Sequence, residues 1–120
     1  MRQVGIGTTE NTVVVSDETK EGNGYNHYYI SPVNQKDNEP CGEFGYIKFQ
    51  TGPVKEVGLN GCFNEDLIVI VLDRLQCFQA CEFKCRENAL AITKLEEALH
   101  WLRHRTDDRK KRGVLGIYKI

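Results

Sequence analysis

Cys81, Cys85, His100 and His104 supply two thiols and two imidazoles, the donor count of a tetrahedral zinc site. Their spacing opposes that chemistry. If Cys85 and His100 lie at opposite ends of one helical stretch, roughly 22 Å separates them, whereas zinc ligands must meet within a few ångströms. His100 and His104 alone, four positions apart, have neither a third ligand nor a glutamate base, so they read as solvated helix histidines and no metal site is expected. Cys41, Cys62, Cys77, Cys81 and Cys85 are an odd number, and the start of the chain lacks the basic and then apolar regions of an export signal. Reduced thiols are expected.

No nucleophile and base pairing stands out, and neither a phosphate-cradling glycine loop nor a dinucleotide fingerprint is present, so no catalytic residue and no cofactor is assigned. The basic cluster around Arg103, Arg105, Arg109, Lys110, Lys111 and Arg112 is more informative. Asp107 and Asp108 sit inside it, where surface ion pairs are the expected use of paired carboxylates. Arg105, Arg109 and Arg112, spaced by four and three, continue the face that carries Ala98 and Leu102. Two readings stay open. The cations complement the negative end of a helix, or they form an anion site in which guanidinium groups grip phosphate and stack on a base.

A ring and a carboxamide stand at the opposite end, in Phe78 and Asn88. Together they can hold an adenine by stacking and by edge hydrogen bonds, although each has a structural alternative as core ring and as cap. Within one chain the two ends do not meet, because about 25 Å of helix separates Asn88 from Arg105. A second chain running antiparallel would bring them together.

The elements that position these groups divide the chain in two. Residues 12–15 are β-branched, 25–33 carry a tyrosine cluster and 43–50 alternate, with residues 21–24 a hairpin signal and 54–57 one more short strand between glycine-bearing turns. Three or four antiparallel strands are expected. At Asn64, a good N-cap followed by Glu65 and Asp66, a first helix begins, and its residues 67–72 are apolar all round, which predicts burial on nearly every side. After a turn, a second helix is expected over residues 86–112, with Ala91, Leu95, Ala98, Leu99 and Leu102 on one face and Gly113 as its C′ residue. The fold class is α+β: a small antiparallel N-terminal sheet followed by a C-terminal two-helix antiparallel hairpin. At 120 residues this is one domain, β-rich over about residues 1–62 and helical over about 63–120 with a short tail. A net charge of -1 speaks against bulk nucleic-acid binding, and no apolar run approaches the length of a membrane span. A cytosolic protein is expected.

Several separated blocks share their order and spacing with one family. They are residues 49–61 (FQTGPVKEVGLNG), 64–67 (NEDL), 85–88 (CREN), Arg105 with Thr106, then Arg109, and 112–114 (RGV). In these the chain resembles the phage anti-Thoeris sponge family. The resemblance implies a sheet with two C-terminal helices and homo-oligomers built from dimers, up to hexamers. It implies sequestration, without cleavage, of glycocyclic ADP-ribose made by bacterial TIR-domain defence enzymes in the cytoplasm of the infected host. By position it implies that Phe78 and Arg105 flank the adenine, that Asn88 hydrogen-bonds it, and that Arg109 and Lys55 face the pyrophosphate. It also implies cyclic oligonucleotides as a second ligand class. A rival reading makes the basic helix end an interaction module for nucleic acid or an acidic protein.

Overall fold

The computed structural model describes residues 1–6, 11–22, 24–34, 36–37 and 39–117, in two compact units, Met1–Cys62 and Phe63–Ile120. In the first, strands β1 (Arg2–Ile6), β2 (Thr12–Ser16), β3 (His27–Pro32) and β4 (Gly45–Lys48) form an antiparallel meander, each pairing with the next. The period of two along β2 sends Val13 and Val15 to one buried face and leaves Val14 half-buried on the other. Register across β2 and β3 sets Val15 opposite Tyr29 and Val13 opposite Ser31. Aromatic pairs continue the sheet on both faces, Tyr29 against Tyr46 at 5.0 Å and Tyr28 edge-on to Phe49 at 5.5 Å. Ser16 is fully buried, and its Oγ accepts from Arg2 Nε (2.9 Å) and donates to the Asp17 carbonyl (2.9 Å). Arg2 in turn lies 3.6 Å from the centroid of Tyr25.

Strand β1 is absent from the sequence expectations. Its residues do not alternate, and its pairing with β2 is irregular between Gln3 and Gly5. Residues 54–57 correct the sequence reading: they form one helical turn, α1 (Val54–Val57), not a strand. Pro53 starts it and accepts from the Val57 N–H (2.9 Å), and Gly58 ends it at φ 81°. The surrounding loop is clasped by two side chains. Gln50 donates to the carbonyls of Gly52 (3.2 Å) and Gly58 (2.8 Å) and accepts from the Asn60 N–H (2.8 Å). Asn60 accepts from the Thr51 N–H and donates to the Thr51 carbonyl, both at 2.8 Å. A Cβ on Gly61 would lie 2.4 Å from the Phe49 carbonyl carbon, so only glycine fits where the loop closes.

The second unit is a helical hairpin. Helix α2 (Asn64–Gln79) and helix α3 (Arg86–Lys111) pack on each other across a six-residue turn. Phe63, not Asn64, is the N-cap residue of α2. Its N–H donates to Asp66 Oδ2 (2.9 Å), the acidic half of a capping box. Asn64 is already helical, because the carboxylate three positions beyond Phe63 satisfies the N–H that a side-chain cap would leave open. Burial also departs from expectation: Leu72 is buried, but Val69, Ile70 and Val71 are 45%, 63% and 46% exposed. Two helices can cover only one stripe of each other, and a run that is apolar all round exceeds that stripe.

On α3 the inward positions are Asn88, Ala91, Ile92, Leu95, Ala98, Leu99, Leu102, Thr106 and Arg109, with Leu99 the most buried. The helix stops at a Schellman motif. The Gly113 N–H donates to the Lys110 carbonyl (3.1 Å) and the Val114 N–H to the Arg109 carbonyl (3.0 Å), with Gly113 at φ 71°. Among the described residues no helix is long and apolar enough to cross a membrane.

Candidate ligand-binding half-sites on the helical hairpin

The hairpin turn positions the first candidate half-site. Cys85 caps α3, its Sγ accepting from the Asn88 N–H (3.4 Å), while its own N–H donates to Gln79 Oε1 (2.8 Å) on the last turn of α2. These bonds fix the end of α2 beside the start of α3, and with them Phe78 and Asn88. Phe78 is half-buried, edge-on to Phe83 with centroids 6.5 Å apart, and the Arg74 guanidinium lies 5.1 Å from its ring centroid. Asn88 is also half-buried, and its carboxamide bonds to no described residue, leaving a donor and an acceptor edge for a ligand. All five cysteines are free thiols.

The second candidate half-site lies at the far end of α3. Arg105 is exposed and makes no hydrogen bond or ion pair with a described residue. Arg109 is half-buried, and its Nη2 donates to the carbonyls of Val114 and Ile117, both at 3.0 Å. It therefore clasps the segment after Gly113, which the sequence reading left without a role. Asp108 pairs with Arg112 at 3.7 Å, as expected for surface carboxylates. The inward stripe runs through Thr106 and Arg109, whereas Arg105 and Arg112 are exposed. The sequence reading placed Arg105 and Arg112 on the Ala98 and Leu102 face with the core, but the 26-residue α3 outruns the 16-residue α2, so its last turns extend past the partner helix and these two side chains are exposed.

Because α3 is one unbroken helix, the 17 positions from Asn88 to Arg105 place about 25 Å between the two candidate half-sites. One hairpin does not bring them together. Lys55 belongs to the sheet unit, where it is exposed in the single turn of α1. Sequence reasoning missed Arg74 and Phe83. Arg74 was within reach, since it stands four positions before Phe78 and i, i+4 side chains are helix neighbours. Phe83 had no such signal, because it lies in the turn.

A family model described as the Acb2/Tad1 hairpin domain matches residues 43–107, just over half of the chain. The match takes in β4, α1, α2 and most of α3, so Lys55, Phe78, Asn88 and Arg105 fall within it and Arg109 lies beyond its end. The chain is 59% identical over 79 residues to a protein of Bacillus phage SBSphiJ7 named Thoeris anti-defense 1, an alignment covering 66% of this chain and 56% of that relative. The chain thus spans little more than half of the relative's length. With more than half of its length matched, including the hairpin and four of the five residues singled out for binding, the chain belongs to the Acb2/Tad1 hairpin domain family.

Proposed function

We propose that this chain binds and sequesters, without cleaving, glycocyclic ADP-ribose made by bacterial TIR-domain immune enzymes, and so inhibits Thoeris defence in the cytoplasm of the infected host. The name of the phage relative and the family membership support the anti-defence reading. The observation that carries the ligand reading is the division of labour between the two ends of the hairpin. A ring and a carboxamide that bonds to no described residue stand at one end, and a guanidinium that pairs with no described residue stands at the other, about 25 Å away. Two hairpins laid head to tail turn these halves into complete sites, so the active form is a homo-oligomer built from dimers, up to a hexamer.

In such a site Phe78 of one copy and Arg105 of the other flank the adenine, and Asn88 reads its edge through the two halves of its carboxamide. Arg109 and Lys55 are assigned to the pyrophosphate, Lys55 by its position in the family pattern alone. Phe78, Asn88, Arg105 and Arg109 offer neither a nucleophile nor a general base, which suits capture rather than hydrolysis. No cofactor enters the scheme. Cyclic oligonucleotides are proposed as a second ligand class, with no residues assigned to them.

The test is recovery. Protein mixed with the TIR product and then heat-denatured should release intact glycocyclic ADP-ribose; release of cleaved product would make the chain an enzyme, and no retention would end the ligand assignment. Lys110, Lys111 and Arg112, all exposed at the end of α3, support a second reading in which this end docks on nucleic acid or an acidic protein. Duplex DNA binding that falls steeply with salt would favour that reading, since phosphate contacts release counterions.

A further inference from the structure

Trp101 is the chain's single tryptophan, and α3 leaves it 65% exposed. An indole left in water adds little to the stability of the fold, so its placement calls for another account. It is braced rather than loose: the ring centroids of His100 and His104 lie 5.2 Å and 5.8 Å from it, both steeply inclined to the indole plane. A ring already held in place loses little freedom when something stacks on it.

Its neighbour on the helix decides what would stack. Arg105 stands four positions on, on the same face and about 6 Å further along the axis. The acidic groups near this face have cationic partners, Glu97 with Lys94 at 3.8 Å and Asp108 with Arg112 at 3.7 Å. What remains is an aromatic plane one helical turn from a guanidinium that pairs with no described residue. That combination suits a ring-bearing anion better than a purely apolar partner.

We infer that Trp101 is a further ligand-contact residue of the site that contains Arg105, its indole covering the apolar face of a ribose one helical turn from the adenine. This inference rests on the proposed nucleotide ligand. Covering about 60 Å² of indole, at about 25 cal/mol per Å², corresponds to about tenfold in Kd.

The test titrates the assembled protein with purified glycocyclic ADP-ribose, each linkage isomer separately, following tryptophan fluorescence, acrylamide quenching and heat in parallel. Ligand should shield the indole from acrylamide, Trp101→Ala should bind about tenfold more weakly, and Trp101→Phe should stay within about threefold of wild type, all with unchanged assembly mass. Calorimetric binding with unchanged quenching and unchanged Trp101→Ala affinity would overturn the contact while sparing the function. Dissociation of the Trp101→Ala assembly would also overturn it, by assigning the indole to self-association. No heat with wild type would remove the functional reading, and this contact with it.

Discussion

Replacing Arg109 with methionine separates two duties that one guanidinium can serve. The substitution keeps an apolar stem on the inward face and removes both hydrogen bonds from Nη2 to the Val114 and Ile117 carbonyls. Hydrogen bonds from a charged donor contribute about 1.5 to 3 kcal/mol each. Arg109 is only half-buried and one nitrogen serves both acceptors, so ~2 kcal/mol is expected for the pair rather than the sum. For a unit of this size, that loss lowers the melting temperature by about 10 °C. Thermal melts followed by far-UV circular dichroism measure it, with Arg105→Met as the paired control. Arg105 is exposed and unpaired among the described residues, so its replacement should stay within about 0.5 kcal/mol of wild-type stability. The same replacement should weaken ligand binding by about 2 to 5 kcal/mol, the range for truncating one side of a desolvated charge contact. An Arg109→Met protein that melts with wild type but has lost affinity would refute the clasp and make Arg109 a ligand group alone.

Gly113→Ala tests the helix stop: a Cβ there meets nothing within 4 Å, so the cost is left-handed strain alone, ~1 kcal/mol, and a melt equal to wild type would contradict it. In the sheet unit, burial first, and then the charges of Tyr46, Asp17 and Glu43, hold the Tyr29 hydroxyl above its ordinary value of 10.0. A pKa higher in the folded than in the unfolded chain stabilises fully below the ordinary tyrosine range, and that contribution is lost as pH rises through the folded value. Stability should therefore fall on the alkaline side and fall less in Tyr29→Phe, as alkaline melts of the two proteins would show; parallel curves would remove Tyr29 from the account.

The helices were the most legible part of the chain because their ends carry local chemistry. Asp66 near the start of α2, Cys85 before α3 and Gly113 after it act within a few residues, so a linear reading places the boundaries closely even where it misnames the cap as Asn64. The strands with β-branched or aromatic alternation were found for the same reason. Strand β1 was not, because Arg2 and Gln3 gain their place only by pairing with Ser16 and Val15. Residues 54–57 look like a strand by composition, yet Pro53, Gly58 and the Gln50 and Asn60 clasp impose a helical turn from outside the segment. At the candidate site, spacing put Phe78 and Asn88 at one end of the hairpin and the arginines at the other. It could not tell which arginine turns inward, since the carbonyls that hold Arg109 lie beyond the helix.

Complementation between defective copies asks most directly whether the site is shared. Asn88→Ala and Arg105→Ala proteins each lack one half of every proposed cavity, so each alone should bind glycocyclic ADP-ribose far more weakly than wild type. Mixed in equal amounts and allowed to exchange subunits at random, half of the dimers pair unlike copies, and each carries one intact cavity. About a quarter of all sites should then regain wild-type affinity in a calorimetric titration. Confirmed subunit exchange with no regained binding would contradict the shared cavity.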